Sequence, residues 1–401
     1  MKNGWKTASL GDLCEFQRGL TYAKGDEVDI SDNIVLRATN IDLTTNLLTF
    51  GELKYINDKV FVPDSKKVKK NSLMICTASG SKSHLGKVAF IDDDYGYAFG
   101  GFMGMVTPRN GLLPKYLFHL MTSDAYKDFI GELSDGANIN NLKFDDLGRF
   151  QVPHPALSEQ QRIIGILDKA FDGIATAKAK AEKNLQNARA LFESYLKFIF
   201  NQRSGRWKHR PLISLCSMFA DSAHRTPKYQ TEGVPALRPR DVVNGKLVLS
   251  GAARVSEEEY EIQSRRHKPS AGDIVYSREL SYGWATVLPK SPRVCLSQGM
   301  CIFRPSPEVD TEFLLYVLNG PLGREQAVRA AVGAAHPHIN LGDIKAYSIP
   351  LPLLDEQRHI TQDLQALEAQ TQRLESIYQQ KLSALEALKK SLLHHGFSGK
   401  L

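Results

Sequence analysis

Apolar residues return every third or fourth position over two long stretches of this chain. In the first, Ile163, Leu167, Ala170, Ile174, Ala177, Ala181, Ala188, Leu191 and Tyr195 form a heptad seam interrupted at Asn184. That spacing predicts one helix from Leu157 to Phe200. Ser158 reads as its N-cap, with Gln161 three residues on to close a capping box. In the second, Ile360, Leu364, Leu367, Leu374, Tyr378, Leu385, Leu388 and Leu392 repeat the seam. Laid antiparallel, the two seams place Ile163 at the level of Leu392, Ala170 at Leu385, and Asn184 at Thr371.

The stretches between the helices read differently. Short apolar runs at 34–36, 72–76 and 88–91, bounded by Gly, Asn and Asp, predict strands, and 115–133 predicts a helix. Residues 203–352 repeat this plan. Leu36-Arg37 returns as Leu237-Arg238, and from Gly86 onward an ungapped offset of 197 pairs Gly86 with Gly283, Met103 with Met300, Pro108 with Pro305 and Leu117 with Leu314. It also pairs Pro153 with Pro350, Glu159 with Glu356 and Gln160 with Gln357. The chain is therefore an internal duplication. The expected fold is α+β, with two mixed α/β domains separated by two long antiparallel helices about a pseudo-twofold repeat. The boundaries are 1–155, 156–202, 203–352 and 353–401.

Composition narrows the class. An apolar share of 42% in 401 residues supports real cores, and no apolar run reaches membrane-spanning length. The first residues carry no apolar signal segment, and five cysteines without CxxC spacing read as reduced, buried thiols. A cytosolic protein is expected. A net charge of +7 is compatible with a polyanionic partner.

Catalytic and metal-binding patterns are missing. No Asn/Asp-Pro-Pro-Phe/Tyr motif or glycine-rich cofactor turn of an amino-methyltransferase occurs. The stretch from Gly80 to Val88 has five residues between its glycines and ends in Val, where a phosphate loop needs four and a hydroxyl. His336 with His338, and His394 with His395, lack companions at ligand spacing, so no metal site is expected.

The helix starts carry a specific likeness. Pro153-His-Pro-Ala-Leu-Ser-Glu-Gln-Gln-Arg162 and Pro350-Leu-Pro-Leu-Leu-Asp-Glu-Gln-Arg358 follow the two domains in an order that resembles the specificity subunit of a type I restriction–modification system. The segments 78–83, 99–102 and 134–141 resemble parts of some of that family's amino-terminal target recognition domains. The resemblance implies a non-catalytic, sequence-specific DNA-binding subunit for host defence. Each globular domain would read half of a bipartite double-stranded site. The helices would set the spacing and dock two adenine methyltransferase (M) subunits, and motor-nuclease (R) subunits would complete a restriction enzyme. S-adenosylmethionine would then belong to the methyltransferase, and ATP and Mg to the motor-nuclease.

Base edges and phosphates are read by Arg, Lys, Asn, Gln, Ser and Thr. In the first half the candidates are Arg18, Tyr22, Lys24, Arg37, Asn40, Ser81, Lys82, His84 and Lys87, then Asn138, Asn140, Asn141 and Lys143. In the second they are Arg225, Lys228, Tyr229, Arg238, Arg240, Arg278, Tyr282 and Trp284, then His336, His338 and Asn340. Glu159, Gln160, Arg162, Glu356, Gln357 and Arg358 are the candidates for partner docking. A coiled-coil adaptor that joins protein partners without reading DNA is the alternative.

Overall fold

The computed structural model describes residues 5–80, 84–135 and 141–401, with the side chains at 134, 135 and 201–204 left aside. The chain forms two compact units, Met1–Ala181 with Gln380–Leu401, and Glu182–Gln379. Each long helix thus contributes to both units rather than standing apart from them.

In the first unit, β1 (Lys6–Ser9), β2 (Cys14–Arg18), β3 (Asn33–Leu36), β4 (Lys54–Ile56), β5 (Ser72–Cys76), β6 (Val88–Ile91), β7 (Ala98–Phe99) and β8 (Met103–Pro108) precede α1 (Pro114–Leu120) and α2 (Asp124–Asp135). β9 (Gln151–His154) then leads into α3 (Leu157–Lys197). An antiparallel sheet runs β2-β8-β5-β6. Its strand β5 is buried at every position, which is why it reads as a continuous apolar run and not as an alternation. A smaller sheet joins β4, β3 and β7, the last pair parallel. Tyr116, Leu117, Tyr126 and Ile75 fill the main core with Ile163 and Leu167 of the first long helix and Leu393 of the second.

The second unit repeats the order. β10 (Lys208–Pro211), β11 (Cys216–Asp221), β12 (Val234–Leu237), β13 (Ala253–Val255), α4 (Glu257–Gln263), β14 (Ile274–Ser277), β15 (Ala285–Val287), β16 (Cys295–Leu296) and β17 (Met300–Pro305) come first. Then follow α5 (Thr311–Asn319), α6 (Pro321–Ala330), β18 (Ser348–Leu351) and α7 (Leu354–Ser398). The sheet order β11-β17-β14-β15 matches that of the first unit strand for strand. The first strand of each unit pairs antiparallel with its last, Lys6 opposite His154 and Lys208 opposite Leu351. The duplication read from the 197-residue offset is a duplication of fold.

Three details of the helices differ from the sequence reading. The α3 start is capped by the Ala156 carbonyl, which accepts from the amides of Glu159 and Gln160, so Ser158 lies inside the first turn. The seam also shifts. Asn184 is exposed, as are Leu191, Leu374 and Leu388. The covered positions step from Ala181 to Leu185, Ala188 and Phe192, and on α7 through Thr371, Glu375, Tyr378, Leu382, Leu385 and Lys389. A straight helix drifts about 20° per heptad against a strict seven-residue repeat, so its covered stripe leaves the apolar heptad. Thr371 bonds its own helix through the Glu368 carbonyl and not Asn184. Finally, the register is slid by about one to two turns in the first unit. Gly396 packs on Ile163 and Leu167, the Lys389 amine sits 5.3 Å from the Phe171 ring centre, and Lys178 pairs with Glu386 at 2.7 Å.

Candidate nucleic-acid interface

One backbone frame recurs in both units. After β5 the chain passes under the loop that leads into β8, where the Phe102 carbonyl accepts from the amides of Thr77 at 2.9 Å and Ala78 at 3.1 Å. The Thr77 carbonyl accepts from Leu142 at 2.6 Å, and Ala78 bridges to Asn141. In the second unit the Gly299 carbonyl accepts from Arg278 at 2.8 Å, the Arg278 carbonyl accepts from Ile339 at 2.9 Å, and Glu279 bridges to His338. Two loop clusters that are some 60 residues apart in each half thus meet. Ser81, Lys82, Asn138 and Asn140 lie outside the described residues. Asn141 and Lys143 are exposed beside this junction, and His84 is half-buried next to it.

In the first unit the junction borders a cleft of about 610 Å³. Tyr22, Lys24 and Arg37 line it, with Ser79 and Phe102. Its floor depends on glycine. A Cβ on Gly19 would stand 2.0 Å from the Gly100 carbonyl oxygen, so only a bare backbone permits this approach. Arg18 is exposed, with its guanidinium 5.2 Å from the Phe144 ring centre. Two candidates are corrected. Asn40 is buried: it accepts from the Arg37 amide and donates to the carbonyls of Thr49 and Glu52, so its polar groups are consumed by the turn. Lys87 is buried with its amine on the Ala38 carbonyl at 3.3 Å, and burial lowers its pKa. Both support the cleft wall from behind. The residue that the polar search missed is Phe102, 74% exposed. Its signal was a large apolar side chain preceded by two glycines and outside any periodic pattern.

The second unit holds its arginines on carboxylates. Arg225 lies 3.0 Å from Glu259. Arg238 donates Nε and Nη2 to Asp241, both at 3.1 Å, and Nη2 also to the Gly251 carbonyl. Arg278 is largely buried, 3.6 Å from Asp221. These are corrections to a picture of free loop cations: each guanidinium has at least one edge engaged. Trp284 packs on a core cluster under the Arg324 guanidinium, 4.1 Å from its ring centre, and the Tyr282 carbonyl accepts from Arg324. Trp284 is thus held against the core, and the Tyr282 ring is half-buried against a core cluster. Tyr229 is exposed and donates to Ser297. Lys228, Arg240, His336, His338 and Asn340 are exposed.

At the helix starts, Gln160 and Gln357 are 0% exposed, which corrects their assignment to an outer docking face. Gln160 accepts from the Leu113 amide and donates to the carbonyls of Gly111 and Pro155, all at 2.9 Å. Gln357 makes the same three bonds 197 positions later, from Asp310 and to Glu308 and Pro352. The repeated Glu-Gln is thus partly an internal latch. The outer face is left to Arg162, which binds Glu159 at 2.7 Å and the Leu401 carbonyl at 2.8 Å, and to Glu356, which accepts from Trp207 Nε1. Arg358 and the apolar Leu157 and Leu353 are exposed alongside.

Other chemistry is sparse. Among the described residues no group of three or more His, Cys, Asp or Glu side chains is placed to hold a metal ion. The five cysteines are unpaired, and burial pushes the Cys14, Cys216 and Cys295 thiols up to about 12. No helix of the described residues is long and apolar enough to cross a membrane.

Comparison with known proteins agrees with this architecture. The type I restriction modification DNA specificity domain matches twice, over residues 2–186 and 206–384. The StySPI specificity subunit of Salmonella potsdam is 26% identical over all of this chain and 90% of its own length. The EcoKI specificity subunit of Escherichia coli K12 is 25% identical over the same shares. Among solved structures, a chain from a study of complex assembly and conformational transition of the type I R-M system superposes with a TM-score of 0.79 at 19% identity, covering 100% of this chain and 99% of that one. The HsdS subunit from Thermoanaerobacter tengcongensis gives 0.66 at 19% identity, covering 100% and 98%.

Proposed function

The chain belongs to the type I restriction–modification DNA specificity family, and we propose that each of its two units reads one half of a bipartite DNA site. The observation that carries this reading is the shared frame with divergent side chains. Thr77, Ala78 and Phe102 of the first unit are replaced by Arg278, Glu279 and Gly299 of the second on the same hydrogen-bonded backbone. Shared geometry with changed chemistry is what two readers of different sequences require.

The first unit reads through Arg37, Tyr22, Lys24 and Arg18 around its cleft. The second presents arginines oriented by carboxylates, with Arg240 and Lys228 exposed to meet phosphates or bases, and His338 exposed with its Nδ1 on the His336 carbonyl. Fixing a guanidinium before contact lowers the rotamer entropy lost on binding. The two long helices set the spacing of the half-sites and dock two adenine methyltransferase subunits through Glu159, Arg162, Glu356 and Arg358. S-adenosylmethionine is held by those partners, and ATP and Mg by motor-nuclease subunits. The chain itself supplies recognition and no catalytic group. Because the adenine amine is paired within the duplex, the partner methylates it after extrusion from the stack.

The test is a mobility shift of the chain with its methyltransferase on random DNA, competed by the bipartite sequence that modified-base sequencing of a host carrying them identifies. Preference for that sequence, with affinity falling steeply as salt rises, is expected. Assembly with the methyltransferase but equal binding to every DNA would leave a structural adaptor instead.

A further inference from the structure

We infer that Phe102 is a stacking prong that supports the base left unpaired when the adenine of the first half-site is extruded. The inference rests on the DNA-reading role proposed above. Three features of the ring lead to it. It is 74% exposed and stands at the cleft that Arg37, Lys24 and Tyr22 line. The two residues before it, Gly100 and Gly101, bring no side chain against it. Its backbone is nonetheless rigid: the Phe102 carbonyl accepts three hydrogen bonds, from the Thr77 amide and hydroxyl and the Ala78 amide, between 2.9 and 3.1 Å.

An exposed ring on a pinned backbone contributes nothing to a core, yet is already ordered for a planar partner. The cations around the cleft give the partner's class, since they suit a phosphate backbone carrying bases. Apolar side chains inserted at a base step stabilise unstacked DNA, and aromatic rings stack on any base. Extrusion of one adenine leaves such an unstacked partner base.

The second unit cannot do the same. The position equivalent to Phe102 is Gly299, at φ +86°, where a Cβ would stand 2.9 Å from the Glu279 carboxylate and 3.0 Å from Pro239. The two half-sites are therefore handled by different means on one frame.

The experiment uses the full chain assembled with its methyltransferase, S-adenosylmethionine and a duplex carrying the identified bipartite site. Phe102→Ala should slow methylation of the half-site read by the first unit about ten- to a hundredfold, and leave the other half-site within about twofold of its wild-type rate. Phe102→Tyr should restore the rate. Permanganate should oxidise the thymine opposite the extruded adenine faster in the Phe102→Ala complex, at that half-site alone. Thermal melting of the variant should match the wild type, because the ring is outside every core cluster. Equal loss at both half-sites, or no loss at either, would overturn the assignment. Failure of the wild-type complex to prefer any bipartite site would instead defeat the DNA-reading role from which it starts.

Discussion

Replacing Gln160 by Met tests the latch at the start of the first long helix. Met keeps the length and most of the volume but removes all three hydrogen bonds. The Leu113 amide and the carbonyls of Gly111 and Pro155 then face an apolar side chain. An unsatisfied buried group costs about 1–3 kcal/mol, and the Gly111 carbonyl keeps a second partner, the His154 Nε2 donor at 2.8 Å. We therefore expect a loss of roughly 3 kcal/mol, which at an m-value of about 2 kcal/mol/M lowers the urea midpoint of the first unit by about 1.5 M. The duplication supplies the control. Gln357→Met should produce the same loss in the second unit. Tryptophan fluorescence can separate the two, because Trp5 packs on the first unit's core while Trp207 and Trp284 both pack on clusters of the second. Gln160→Glu adds a sign. A carboxylate at this position faces two carbonyl oxygens, so its folded pKa rises above the unfolded value near 4.3. Relative to wild type, the variant is best tolerated below that pH and loses stability as pH rises through the folded pKa. Loss of less than about 0.5 kcal/mol in Gln160→Met, or equal shifts of both tryptophan signals, would refute the latch.

Arg37→Ala should weaken binding to the first half-site by about 1–3 kcal/mol and leave the second unchanged, measured by competition with half-site variants. Arg238→Ala should instead lower the melting temperature of the second unit, because it strips the buried Asp241 of its partner at a cost of about 2–4 kcal/mol; a purely DNA-directed effect with unchanged melting would contradict the ion-pair geometry. Asp241→Asn should keep the turn, since Asn40 fills that role beside Arg37, and should free the Arg238 guanidinium, changing half-site discrimination more than overall affinity. Native protein at pH 8 should resist iodoacetamide at Cys14, Cys216 and Cys295, whose thiols burial pushes up to about 12, and should react at all five cysteines once unfolded, as read by mass spectrometry.

The long helices, the strands β5 and β6 and the duplication were legible in the chain because each is a periodic or repeated signal, whereas the single helix expected over 115–133 is two, α1 and α2, with a turn at 121–123 between them. Periodicity reports which positions face an interior, and an offset of 197 reports shared ancestry of two halves; neither needs contacts to be known. The same reasoning misjudged the seam beyond Ala181. Covered positions on α7 include charged ones, Glu375 and Lys389, because long side chains cover an interface with their methylenes while their heads reach solvent.

Side-chain type and spacing therefore determined the class of protein, its two-fold repetition and the loops proposed for recognition. Tertiary structure alone decided which members of those loops are free. Asn40 and Asp241 hold the same place in their turns. One leaves Arg37 at an open cleft, while the other binds Arg238 by two hydrogen bonds. Gln160 looked like a surface residue, and became a latch only because Leu113 and Gly111, nearly 50 positions earlier, present an amide and a carbonyl to it. A polar residue's role depends on which donors and acceptors surround it once the chain has closed, and those partners come from distant segments whose approach no local pattern records.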